Sequence, residues 1–168
     1  MGAAVFLSTG FFYRMAYPQK FRAEVERAAA DTGLSPELIY GVIHTESGFR
    51  PDVVSSAGAR GLMQITEDAY DWAKMSLGGD GTCYDDLFAP SENIRYGAVI
   101  LSLLLKRFDD LEVALCAYHA GAANVASWLG NPDYSPDGRT LSRIPYRNTH
   151  WYVDKVLSVK KQYEKLYN

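Results

Sequence analysis

Apolar positions recur at spacings of three and four along nearly the whole chain, and no convincing stretch alternates with period two. That pattern predicts a mainly α-helical protein. A first helix is expected from Gln19 to Thr32, stopped by Gly33. Ser35-Pro36-Glu37 reads as an N-cap serine, a proline at the first helical position and an acid in the first turn. The helix it opens carries Leu38, Ile39, Val42 and Ile43 to about Glu46 and ends near Gly48. Phe49 to Gly61 reads as an irregular loop, and Thr66-Glu67-Asp68 as a second capped helix start leading to Trp72 and Met75. Leu77 to Pro90 is a glycine-rich loop. Ser91 is then expected to cap a strongly apolar helix through Ile94, Ala98, Leu101, Leu104 and Leu105, the predicted centre of the core. Helices from Leu111 to His119, from Asn124 to Leu129 and from near Pro145 to about Leu166 complete the list. No repeat or linker divides the chain, so one helical domain is expected over residues 19–168.

A length of 168 residues and a hydrophobic content of 48% suit one domain with a real core. The net charge of −3 leaves no basic stripe, and a nucleic-acid partner is not expected. Residues 1–18 form a separate apolar segment whose first thirteen residues carry no charged side chain. They lack a basic start and fall short of a bilayer span, so a membrane-anchor remnant and a packed N-terminal segment both stay open. Cys83 and Cys116 are too few for a disulfide framework, and a bridge between them is left undecided. His44-Thr45-Glu46 lacks the spacing of a zinc-binding helix, and His119 and His150 are remote in sequence. Neither a metal nor a cofactor is expected.

The informative position is Glu46. It follows Ile39, Val42 and Ile43 by seven, four and three residues, which places it on the face of the helix directed at the core. Burial and the negative end of the helix dipole would both raise its pKa. A carboxyl still protonated near neutral pH is a general acid. The spacing equally allows a carboxylate that turns to solvent at a frayed helix end, and position alone does not separate the two.

The neighbours carry more. Glu46-Ser47-Gly48-Phe49, Gly61-Leu62-Met63-Gln64 with Ser55 in the loop before it, Ala117-Tyr118-His119-Ala120-Gly121, and Ile144-Pro145-Tyr146-Arg147-Asn148-Thr149-His150-Trp151-Tyr152-Val153 follow one another in order. Together they resemble the four motifs of the soluble-lytic-transglycosylase-like family in the lysozyme-like superfamily. Two positions depart from that pattern: His119 stands where it has Asn, and Asn148 where it usually has Glu.

The resemblance implies a lysozyme-like helical domain with a substrate cleft, acting on peptidoglycan glycan strands outside the cytoplasmic membrane, as a monomer. It implies non-hydrolytic cleavage of the β-1,4 bond between N-acetylmuramic acid and N-acetylglucosamine, leaving 1,6-anhydro ends, with Glu46 as the single acid and base. Ser55, Met63, Gln64, Tyr118, His119, Asn148 and Tyr152 are the implied substrate-binding residues. From the residues themselves, Ser55 also fits simple turn chemistry, Gln64 a helix cap and Met63 the core. Two other functions stay open: a goose-type lysozyme that uses water at the same cleft, and a non-catalytic glycan-binding domain that kept the fold.

Overall fold

A computed structural model describes residues 13–167. Its helices are α1 (Arg22–Thr32), α2 (Pro36–Glu46), α3 (Glu67–Ser76), α4 (Pro90–Phe108), α5 (Leu111–Ala120), α6 (Ala122–Leu129) and α7 (Arg147–Tyr167), with a 3₁₀ turn at Tyr84–Phe88. Among the described residues no strand forms; isolated antiparallel bridges join Val54 to Arg60 and Arg60 to Ile65. The apolar segment expected over residues 1–18 lies outside the description as far as residue 12. No described helix is long and apolar enough to cross a membrane.

Local signals set most boundaries. The Ser35 side chain accepts from Leu38 N above Pro36, and Thr66 accepts from Ala69 N. Gly33 closes α1 with φ 76°, a conformation that costs a residue with a Cβ. Three starts differ from expectation. α1 begins at Arg22, because Phe21 takes a left-handed φ of 56°. Just before it, the carbonyls of Tyr17 and Pro18 accept from the hydroxyls of Tyr167 and Tyr163, at 2.8 Å each. Those tertiary bonds hold the entering chain off the helix axis. α4 begins at Pro90 with Ala89 as its cap and Ser91 inside the first turn, since proline at the first position has no N–H to satisfy. α6 begins at Ala122, directly after Gly121.

α4 is the central helix. It packs against α1, α3 and α5 and buries Ile94, Tyr96, Ala98, Leu101 and Leu104. Fully burying one such leucine stabilises the fold by about 1.5–3 kcal/mol relative to leaving it exposed. Beside this bundle, α2 lies along α7 in the most extensive helix pairing. Gly41 permits it: a Cβ there would stand 3.0 Å from Val156 O. The stripe Ile39, Val42 and Ile43 is fully buried, so the apolar face of α2 enters the core rather than turning to solvent. Cys83 is exposed, Cys116 is buried, and they are not bonded to each other.

Candidate active site

Glu46 is the last residue of α2 and only partly exposed. The turn after it is built by Ser47, whose hydroxyl is buried 2.8 Å from Leu62 O and 3.2 Å from Ile43 O. That contact ties the helix end to the loop carrying Gly61 to Gln64. Phe49, with φ 65°, tucks its ring against Tyr40 and His44 and directs the chain away. Burial pushes the Glu46 carboxyl up from 4.5 to about 7, against a smaller lowering by the Tyr152 hydroxyl. Other acids do not contribute to that rise.

Two tyrosines face the carboxyl. Tyr118, from α5, donates to Met63 O at 2.8 Å, and its own pKa is driven up by burial and then by the Glu46 charge. Tyr152, from α7, is 2% exposed, and its pKa is driven up by burial first and Glu46 second. Its hydroxyl has no partner within hydrogen-bond geometry, yet stands near enough to Glu46 that each group moves the other's titration.

The loop between Val53 and Ile65 forms the other side. Ser55 Oγ accepts from Ala59 N at 3.1 Å, and Gly61 N donates to Val53 O at 2.9 Å. Gln64, at φ 50°, donates from Nε2 to Val53 O and Gly61 O. Ser55 and the Gln64 amide nitrogen are thus braces of the loop, and neither bonds Glu46. Met63 corrects the expectation of a cleft-lining side chain. It is fully buried against Gly97, where an added Cβ would lie 2.4 Å from its sulfur, and only its carbonyl serves the site by accepting from Tyr118.

Underneath sits Asn93, fully buried, accepting from Met63 N at 2.7 Å and donating to Arg60 O and Leu87 O. It holds the loop from inside, and Gly61 gives it room, since a Cβ there would lie 2.2 Å from Asn93 Nδ2. Sequence reasoning missed Asn93 and Ser47. The signal was available: Asn93 precedes Gly97 and Leu101 by four and eight residues, a polar residue on the apolar stripe of the central helix.

Two surface grooves meet at His119 and Ala120. One, of about 550 Å³, is walled by Pro145, Tyr146, Arg147 and the exposed Asn148. The other, of about 460 Å³, runs past Tyr118 to Ile100, Leu104 and Trp72, a residue 37% exposed. Trp72 is a further residue that the pattern left as an ordinary helix position. Among the predicted site residues, Tyr118, His119 and Tyr152 gather around Glu46 and the groove junction, Asn148 lies on a groove wall, and Ser55, Met63 and Gln64 shape the loop. No group of three metal-binding side chains occurs among the described residues.

Comparison with known proteins follows the same outline. The family model described as the transglycosylase SLT domain matches residues 24–139, a span that stops before Asn148 and Tyr152. A transglycosylase of Enterobacteria phage PRD1 is 38% identical over 117 residues, 70% of this chain and 40% of the phage protein. The soluble lytic murein transglycosylase of Salmonella typhimurium is 30% identical over 150 residues, covering 88% of this chain and 23% of the relative. Among solved structures, an inactive mutant of the lytic transglycosylase Slt from Pseudomonas aeruginosa aligns with a TM-score of 0.77 at 32% identity, over 89% of this chain and 25% of the other. The 70 kDa soluble lytic transglycosylase of Escherichia coli gives a TM-score of 0.81 at 25% identity, over 91% and 25%. The chain therefore spans less than half the length of each of these relatives.

Proposed function

Because the chain belongs to the transglycosylase SLT domain family, we propose that it is a lytic transglycosylase that cuts peptidoglycan glycan strands between N-acetylmuramic acid and N-acetylglucosamine. The observation that carries the reading is the Glu46 carboxyl, raised to about 7 by burial between two tyrosines, with no acidic partner acting on it. Hydrolytic glycosidases ordinarily place two carboxyls about the scissile bond, one of them to activate water or attack the sugar. One carboxyl with a pKa near neutrality suits a reaction in which the same group gives and then takes a proton.

Glu46, protonated, gives its proton to the glycosidic oxygen as the C1–O4 bond breaks. The N-acetylglucosamine leaves as an alcohol, and the positive charge at C1 is met by the substrate's own 2-acetamido oxygen. The Glu46 carboxylate then removes the proton of the C6 hydroxyl as that oxygen bonds to C1, which restores the acid and closes the 1,6-anhydro ring. No water enters the balance. Tyr118, anchored on Met63 O, and Tyr152, whose hydroxyl faces Glu46, would orient the carboxyl or the acetamido group. The grooves on either side of His119 would hold the strand, with Trp72 as a stacking surface for a sugar ring. The substrate polymer lies outside the cytoplasmic membrane, and the protein would act there.

The test is mass spectrometry of digested peptidoglycan. Products one water lighter than hydrolytic muropeptides are expected, and Glu46→Gln should abolish them while strand binding and folding persist. Reducing muramic ends as the main product would instead identify a lysozyme-type hydrolase, and unchanged cleavage by Glu46→Gln would remove Glu46 from its role.

A further inference from the structure

We propose that His119 is a positioning residue, which clamps the Tyr152 ring and thereby the hydroxyl facing Glu46; this rests on the reading of Glu46 as the acid and base. The Tyr152 hydroxyl leans on Glu46 but has no partner in full hydrogen-bond geometry, so its ring is held chiefly by packing. On the groove side that packing is the His119 imidazole, stacked at 4.6 Å between centroids and 29° between planes. The imidazole is itself held, because its Nδ1 lies 3.1 Å from Thr149 Oγ1. Thr149 is 1% exposed and precedes Tyr152 by three residues, which puts both on one face of α7. His119 therefore grips that face twice, by a polar contact at Thr149 and a flat one at Tyr152.

The grip has a chemical consequence. His119 follows Tyr118 directly, so one turn of α5 presents to the site both the tyrosine bonded to Met63 O and the ring that holds the second tyrosine. The carboxyl then meets two hydroxyls with little freedom, and the proton need not wait for either to turn. Partial burial also lowers the affinity of His119 for a proton.

The 168-residue chain carrying His119→Ala, His119→Asn or His119→Phe separates this role from direct sugar contact. Kinetics on isolated glycan strands would be paired with carbon-13 NMR titration of the Glu46 carboxyl, which needs no turnover. Removing the ring (Ala or Asn) should lower kcat about tenfold with KM nearly unchanged, a loss in the range that misplacement of a catalytic group produces. The same two variants should bring the Glu46 titration down toward the ordinary carboxylate range, as water enters the vacated space. Phe, which keeps a ring to stack, should restore most of kcat and of the titration. A raised KM at constant kcat, a Phe variant as impaired as Ala, or a Glu46 titration that does not move would each overturn the clamp. Hydrolytic products would overturn the reaction proposed for Glu46, while the carboxyl titration still decides the clamp.

Discussion

Holding Glu46 protonated near neutral pH sets the needs of the site against those of the fold, and the conflict can be measured. A carboxyl whose pKa rises from 4.5 unfolded to about 7 folded binds its proton more tightly in the native state. Stability from this group is therefore greatest below about pH 4.5 and is lost as pH rises through about 7. At about 1.36 kcal/mol for each pH unit, the loss approaches about 3 kcal/mol at pH 8. Glu46→Gln carries no ionisable group there and escapes it. The variant should gain stability relative to the native sequence as pH rises, with no change in the difference below pH 4.5. For a domain of this size the gain is about 6–12 °C in Tm. Thermal unfolding followed by far-UV circular dichroism, on both proteins from pH 4 to 8.5, gives the difference curve directly. His44 and His119, whose pKa values burial lowers, also titrate in this range but are common to both proteins and cancel. Only the pH dependence of the difference matters, so a constant offset from the Gln amide does not disturb it. Parallel curves across the whole range would refute the buried, proton-retaining carboxyl.

Two further outcomes test the scaffold. Asn93→Ala strands the Met63 amide and the Leu87 carbonyl in the core, and should cost about 3 kcal/mol or more in urea unfolding; a loss under about 1 kcal/mol would show that the loop does not depend on this side chain. Asp80 has its carboxyl held well below the usual range, chiefly by the Thr82 hydroxyl and further by Arg95 and Tyr96, so its contribution is present above the ordinary carboxylate pKa and fades as pH falls below it. Asp80→Asn should accordingly flatten the acid side of the Tm-against-pH curve below pH 4 and leave the neutral side's slope alone, and an unchanged acid slope would contradict that assignment.

The parts legible in the sequence were those decided within a few residues. Ser35, Thr66 and Gly33 mark helix ends because each makes its capping bond to a neighbour. The buried stripe of α2 was likewise readable, since a helical period needs no partner to be seen. What failed depended on distant chain. The start of α1 is set by Tyr163 and Tyr167, more than 140 residues away, and no local pattern records that. Met63 looked like a cleft residue because its motif borders one. Its side chain goes inward because Gly97, on another helix, leaves a hollow of its shape. Ser55 and Gln64 carry groups that suit a sugar, yet the loop uses those same groups to close on itself. The motif residues come together around Glu46 and the groove junction, while what each of them touches needed the third dimension.

The pairing of α2 with α7 bears on how the protein comes into being. Glu46 lies in the first third of the chain, but the helix that carries it rests on the last one, and Tyr152 reaches the carboxyl only from there. Contacts of such long sequence separation form late and slowly, after the costs of closing a large loop. A nascent chain has the acid without its dry surroundings, and such a carboxyl ionises at neutral pH like any other. The order of assembly therefore leaves Glu46 an ordinary carboxylate until the last helix has docked.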